Sequence, residues 1–396
     1  MMFERWREVP PTAGLPVRLR DFVGGGSFED GLADFLDVSR VQIECSGTAA
    51  LIVALTALKN ESRRRRVIVP AYTCPLVVAA ILHCGLTPLL CDVRSGHFDF
   101  SMAALESIID SDTLAVIPTH LGGRLADVDS TIDLAHRHGA IVIEDAAQSL
   151  GATLRGRMAG TIADIGIYSF AAGKGLTLFE GGALVARDAA MQRLLRAESA
   201  PSRPLWELRR VLELAAYAIV YRPSGLRAVY GIPLRRALKK GRLAEAVGDI
   251  TPRRLPFHRV SALRKKTGSN ALLRLPTFLD ALNHQAAPRK AKLMDLRDVV
   301  VLDDAAGASG TWPLFMVLML TQRARDAIMT RSWTVGFGVS RIFVHAIPDY
   351  PGLGISDAEI PNARDFAART FTISNSLFLT DPEFQQICSV IEASSA

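Results

Sequence analysis

No stretch of the chain approaches 18 consecutive uncharged apolar residues, so no segment reads as a membrane span. The opening residues, MMFERWREVPPT, lack the apolar core of a secretory signal, which predicts a protein retained in the cytoplasm. Cysteine is scarce: Cys45, Cys74, Cys84, Cys91 and Cys388 are odd in number, scattered and without a CxxC pair. That argues against a disulfide framework or a zinc site and fits a reducing compartment. The eight histidines form no defensible ligand set, and His136, Arg137 and His138 are better read as a helix end, where positive charge suits the macrodipole. There is no internal repeat and no low-complexity tract. Excess charge is small as well. Forty-six Lys+Arg against 40 Asp+Glu leave only +6, and residues 203–266 alone hold 16 basic and 4 acidic groups. The rest of the chain is net acidic, so a generic nucleic-acid-binding surface is ruled out.

What is present is ample core. The 396 residues are 49% hydrophobic and 22% charged, the composition of a globular protein of one large domain or two. The first half alternates helical and strand-like segments. Helical stretches at 48–58, 75–84, 101–110 and 129–138 separate strands at 67–69, 87–93, 114–119 and 140–146. This alternation predicts an α/β fold with a parallel sheet covered by helices. Asp129 or Ser130 is expected to cap the 129–138 helix, with Gly139 in the left-handed position at its end. Two more strands are expected at Ile165–Ser169 and Ala183–Arg187. After about residue 200 the alternation stops. Residues 1–200 read as a large α/β domain, 201–285 as a basic, partly helical insertion or connecting segment, and 286–396 as a smaller α+β domain. In the last, helices are expected near 288–297, at 322–331 and after Asp381, with a strand at 312–320.

Four local features suggest one site. Ser46-Gly47-Thr48-Ala49-Ala50 is a small-residue turn entering a helix, whose free N–H groups can take an anion, although most such turns are merely helix starts. Glu144-Asp145-Ala146-Ala147-Gln148 lies at the carboxyl end of the strand AIVIED, where open α/β sheets bind ligands; Asp145 can equally be a helix cap. Ser169-Phe170-Ala171-Ala172-Gly173-Lys174 follows the strand IGIYS and puts a lysine among small residues at the same edge, able to bond a cofactor carbonyl. It is no P-loop, because Tyr168 and Gly175 stand where Gly and Ser or Thr are needed. Glu180-Gly181-Gly182-Ala183 reads as a tight turn back into a strand. A lysine, a carboxylate and a phosphate cradle at one sheet edge are the requirements of pyridoxal 5'-phosphate, supplied by Lys174, Asp145 and Gly47-Thr48.

The runs SGTAAL, VPAYTCP, CDV, PTHLGG, IEDAAQSLGA, SFAAGK and EGGALV together resemble the DegT/DnrJ/EryC1/StrS family, densely over residues 40–190. The resemblance implies a fold-type-I enzyme with a mainly parallel seven-stranded sheet, a smaller C-terminal domain, and active sites at the interface of a homodimer. It implies that Lys174 carries the cofactor and that Ser169, Gly47 and Thr48 hold its phosphate. Asp145 would face the pyridine nitrogen and Gln148 the ring hydroxyl. His120 of PTHLGG matches a common family histidine without an assignable role. Cys74 stands where the family usually places an aromatic residue against the cofactor ring. The family's G-x-N-x-R segment, whose Asn reaches the neighbouring subunit's phosphate, is echoed in Gly268–Arg274 and transfers that role to Asn270.

The resemblance further implies an aminotransferase that moves an amino group from an amino acid, L-glutamate by analogy, to a nucleotide-linked keto sugar in amino-sugar or polysaccharide biosynthesis. Two other readings compete. A sugar dehydratase of the same family usually replaces the lysine by His, and Lys174 argues against it. A non-catalytic binding or assembly protein of the same fold is the second.

The basic segment needs its own explanation. Within 203–242, Trp206, Tyr217, Tyr221 and Tyr230 interleave with apolar residues, and Val211–Tyr221 is apolar except for Glu213. Such a stretch suits a helix lying peripherally on an anionic membrane surface. It equally suits an insertion packed on a partner subunit, its basic residues lining a substrate-diphosphate pocket.

Overall fold

The computed structural model describes residues 6–195, 200–249, 257–355 and 359–394. Its seven-stranded sheet consists of β1 (Gln42–Glu44), β2 (Arg66–Pro70), β3 (Thr87–Cys91), β4 (Thr113–Val116), β5 (Ile141–Asp145), β6 (Ile165–Ser169) and β7 (Gly182–Ala186), in the order β1-β7-β6-β5-β4-β2-β3. Strands β3, β2, β4, β5 and β6 run parallel, while β7 is antiparallel to both β6 and β1. This is the mainly parallel sheet that the alternation predicted.

Strand periodicity explains why both faces are covered. Val67, Val69, Ala115, Ile117 and Ile143 point to one side, against the Gly47–Glu61 and Pro75–His83 helices. Ile68, Val116 and Val142 point to the other, against Leu134 and Ala135 of the Val128–Arg137 helix. Successive side chains alternate, so an unbroken apolar run feeds two cores. The cap of the last helix is Asp127 rather than Asp129 or Ser130: its side chain accepts the Ser130 N–H, so the helix starts earlier than the charge pattern suggested. Gly139 does adopt the left-handed conformation, with φ of 65°.

The C-terminal part holds a four-stranded antiparallel sheet of β8 (Val299–Val301), β9 (Leu314–Met319), β10 (Val339–Ser340) and β11 (Thr370–Ser374), in the order β8-β9-β11-β10. Helices Gln322–Ser332 and Asp381–Glu392 bury Ile328, Phe384, Ile387 and Ile391 against Phe315, Val317 and Phe371. The helix expected near 288–297 is the end of a longer one, Leu275–Met294, with Pro288 inside it. Burial of Leu275, Phe278, Leu279, Leu282, Ala286 and Leu293 along its length offsets what Pro288 costs locally.

The basic segment forms helices Pro204–Val220, Pro223–Leu226, Ile232–Lys239 and Leu243–Val247. The apolar run is half inward: Leu214, Tyr217 and Tyr221 pack with Val17 and Leu226, whereas Leu205, Leu208, Leu212 and Ile219 are exposed. Much of its basicity is answered within the chain. Arg227 and Arg235 pair with the buried Glu8, Arg210 with Glu180 and Glu213, and Arg209 with Glu213. Among the described residues no helix is long and apolar enough to cross a membrane.

Candidate active site

Sheet register places the site. Asp145, the last residue of β5, lies opposite Ile167 of β6, and Ser169, the last residue of β6, lies opposite Gly182 of β7. Gly182 in turn faces Glu44 of β1, two residues before Ser46. Three separate segments therefore end side by side at one sheet edge and open on a cavity of about 830 Å³. Gly47, Thr48, Cys74, His120, Asp145, Gln148, Ser169 and Lys174 all line it.

Ser46 caps the Gly47–Glu61 helix by accepting the Ala49 N–H at 3.0 Å. The N–H groups of Gly47 and Thr48 belong to the first turn, where no intrahelical acceptor exists, and both residues line the cavity with Ser169. A Cβ on Gly47 would lie 3.1 Å from Ser169 Cβ and 3.2 Å from the Tyr168 carbonyl oxygen. Glycine is needed there by close approach, and the result is a concave anion cradle.

Lys174 sits in the loop between β6 and β7, its N–H donating to the Ala171 carbonyl and Gly173 before it at φ of 83°. Burial lowers its pKa, against the opposing pull of Cys74, Asp145 and Asp249. Asp145 is 4% exposed; burial raises its pKa, while the Ala147 N–H, Lys174 and His120 act in the other direction. Its Oδ1 accepts the Ala147 N–H at 3.1 Å. That contact closes a local turn; among the described residues no helix starts directly after Asp145, so the helix-cap reading is not met, and the carboxyl group lines the cavity. Gln148 accepts the Gly122 N–H through Oε1. Burial pushes the Cys74 thiol up to about 12, so it stays a neutral thiol that packs against the cavity.

A pyridoxal phosphate fits these groups. The cradle suits a phosphate, the buried Asp145 suits a cationic ring nitrogen, and Lys174 with its pKa lowered suits bond formation to a carbonyl. Asn270 is not in this cavity. Its amide donates to the carbonyls of Asp21 and Val23 at 2.9 and 3.1 Å, fixing the loop in front of the Ala262–Leu272 helix.

Residues 25–208 match the model of the DegT/DnrJ/EryC1/StrS aminotransferase family. Family relatives include GDP-perosamine synthase of Caulobacter vibrioides, 38% identical over 183 residues, which are 45% of this chain and 49% of that protein. The spore coat polysaccharide biosynthesis protein SpsC of Bacillus subtilis is 27% identical over 373 residues, 92% of this chain and 87% of that one. The chain spans about half the length of the first curated relatives it matches, 49%, 41% and 55% of each. In fold, it is similar to the aminotransferase PseC of Helicobacter pylori, with a TM-score of 0.72, 16% identity and coverage of 98% and 99%. It is also similar to DesI, solved in the presence of its TDP-sugar product, with a TM-score of 0.75, 21% identity and coverage of 98% and 93%. The chain shares the fold-type-I architecture of these solved structures.

Several lining residues lie outside the family match or were not read as site residues from the sequence. Tyr217, Tyr221, Tyr230 and Asp249 reach the cavity from the basic segment, and Arg341 from the C-terminal part. Tyr217 and Tyr221 stack at 4.6 Å between centroids, and the Tyr221 hydroxyl accepts the Gly14 N–H at 3.0 Å. Gly14 lies against the Lys174 carbonyl, so these tyrosines brace the lysine loop through the N-terminal segment. Their i, i+4 spacing on one helix face was the available signal. Glu180 is more than a turn residue: it accepts from Trp206 Nε1 at 3.2 Å and pairs with Arg210 and His258, tying the basic segment to the site.

Proposed function

We propose that this protein is a pyridoxal phosphate-dependent aminotransferase that moves an amino group from an amino acid, L-glutamate, to a nucleotide-linked keto sugar in amino-sugar or polysaccharide biosynthesis. The observation that carries this reading is the convergence of Lys174, Asp145 and the Gly47–Thr48–Ser169 cradle on one cavity. Lys174 is the residue that would carry the cofactor, Asp145 the one that would hold its ring nitrogen protonated, and Gln148 the one beside its ring hydroxyl. When bound, the cofactor supplies an electron sink for negative charge at the substrate carbon. Lys174 Nζ, its pKa lowered by burial, is suited to take a proton from that carbon and return it to the neighbouring one. The apolar walls exclude water while it does so.

The names of the relatives support the sugar class: GDP-perosamine synthase and a UDP-N-acetyl-3-dehydro-glucosamine 3-aminotransferase match this chain at 38% and 41% identity. The test is direct. Purified protein supplied with pyridoxal phosphate is expected to show a visible absorption band that Lys174→Ala lacks. Incubation with L-glutamate and a panel of nucleotide keto sugars is expected to yield an amino sugar by mass spectrometry. A wild type with no cofactor band would leave the binding or assembly reading in its place.

We propose as well that the working form is a cytoplasmic homodimer. Leu205, Leu208, Leu212 and Ile219 form an exposed apolar stripe on the Pro204–Val220 helix, and Leu19 and Val23 are exposed near it. Because Arg209, Arg210, Arg227 and Arg235 are engaged in ion pairs within the chain, this face suits a second copy better than an anionic bilayer. Asn270, which holds the carbonyls of Asp21 and Val23, would then contribute from the same side to the neighbouring site. Light scattering is expected to give a dimer that Leu208→Glu with Leu212→Glu dissociates. Flotation of the wild type with anionic vesicles would instead support the membrane reading.

A further inference from the structure

The basic segment lines the cavity with two acidic groups that the reaction proposed above leaves unused, Glu213, which is paired with Arg209 and Arg210, and Asp249. Asp249, two residues beyond the Leu243–Val247 helix, lines the cavity with Lys174, Cys74 and Arg341. Its Oδ2 accepts the Tyr350 hydroxyl at 2.5 Å and the Val344 N–H at 3.3 Å. Those two contacts come from the C-terminal part and fix the carboxyl group from behind. No hydrogen bond to Oδ1 occurs among the described residues. Asp249 and Lys174 line the same cavity, and each lies within electrostatic reach of the other.

The two substrates differ in what they would bring to that spot. An amino-acid donor carries a carboxylate on the carbon that bears its nitrogen, and a fixed carboxylate repels it. A cation for that group is offered by Arg341, which lines the same cavity and bonds the Val344 and Ala367 carbonyls through Nη2. A keto sugar carries hydroxyl groups on the carbons that flank its carbonyl. Hydroxyls are donors, and a carboxylate accepts them with charge-assisted strength. Resting on the proposed aminotransferase function, we infer that Asp249 is a specificity-determining residue whose free carboxylate oxygen accepts the hydroxyls flanking the keto carbon of the sugar. The segment that carries it is thereby a sugar-reading wall supplied by the same chain that holds Lys174.

The inference requires opposite effects on the two half-reactions. In holoprotein carrying Asp249→Asn, the KM for the accepted keto sugar is expected to rise tenfold or more. The half-reaction with L-glutamate, followed by the cofactor spectrum, is expected to keep its rate and to show an unchanged or lower KM. Asp249→Ala should exaggerate both, and Tyr350→Phe should reproduce the sugar effect in weaker form. A second readout needs no turnover. Calorimetric titration with UDP-N-acetylglucosamine and GDP-mannose should show tenfold weaker binding of whichever one wild type takes, with UDP and GDP alone unaffected. Equal losses for glutamate and sugar, loss of bound cofactor, unchanged sugar affinity, or no binding of either nucleotide sugar by wild type would overturn the assignment. A wild type that holds cofactor but gives no spectral response to amino donors would overturn the proposed function itself.

Discussion

His120 donates from Nε2 to Glu144 Oε2 across 3.1 Å, with both side chains fully buried. Its Nδ1 accepts the Ala126 N–H at 2.9 Å, which leaves the ring proton on Nε2. Glu144 also accepts the N–H groups of Gly160, Ile162 and Ala163 at 2.7, 2.6 and 2.5 Å. The histidine lines the cavity, yet both its nitrogens are committed to holding the two loops behind Asp145.

A structural role follows for the pair. Glu144→Gln would turn an NH2 group toward backbone donors in a fully buried site. The expected loss is about 2–3 kcal/mol of stability, read from urea denaturation, because buried donors are left unsatisfied. The folded fraction should still bind cofactor. Unchanged stability with lost activity would reassign Glu144 and His120 to the chemistry.

Asp145 can be separated into its two roles by one substitution. Asn keeps the Oδ1 acceptor that receives the Ala147 N–H, so the turn survives in Asp145→Asn. What is lost is the negative charge. Bound cofactor is expected to remain while transamination slows by orders of magnitude, as measured in the L-glutamate half-reaction. Near-normal turnover would leave Asp145 as a turn residue only.

The first half of the fold was legible because it rests on local patterns. Alternating β-branched runs and capped helices specify a parallel sheet, and ligands at its carboxyl edge follow from that topology. Lys174, Asp145 and Ser169 were therefore readable, each being the end of its own strand or the loop after it. The place of Asp249 on the cavity wall was not, since it is held there by the Tyr350 and Val344 contacts, about a hundred residues away in sequence. The same holds for Glu8, whose partners Arg227 and Arg235 explain a basic run that looked unpaired. Pro288 misled for a different reason: a proline signals a first helical turn, and burial along Leu275–Met294 overrides that signal.

Close approach makes Gly47 a sharp test of the phosphate cradle. Gly47→Ala puts a methyl 3.1 Å from Ser169 Cβ, so the helix start or Ser169 must shift by a few tenths of an ångström. Affinity for pyridoxal phosphate, and for inorganic phosphate as a competitor, is expected to fall roughly tenfold, which is about 1.4 kcal/mol. Gly175→Ala, in the same cavity wall with open space around the added methyl, should leave both affinities near wild type. Equal affinities in all three proteins would remove the cradle from the cofactor site.

The anchoring of the basic segment carries a pH dependence of definite sign. His258, 1% exposed, lies 2.7 Å from Glu207 through Nδ1 and 3.3 Å from Glu180 through Nε2. Although burial opposes it, hydrogen bonding to Glu180 and then Glu207 raises its pKa from 6.5 to about 9. Glu207 also grips the fully buried Arg264, which bonds the Leu178 and Glu180 carbonyls, so one cluster joins the Pro204–Val220 helix to the turn behind Lys174. A group whose folded pKa is raised stabilises fully below its unfolded value and loses that contribution as pH rises through the folded one. Stability should therefore decline between pH 6.5 and about 9, by on the order of 3 kcal/mol at 1.36 kcal/mol per unit. His258→Gln cannot be protonated, so its stability should be lower at pH 6 and nearly flat over that window. Urea denaturation at pH 6, 7, 8 and 9, with tryptophan fluorescence reporting on Trp206 at the cluster, measures both slopes. Parallel slopes in the two proteins would show that His258 is neutral in the fold, and the clamp would then rest on Arg264 and Glu207 alone.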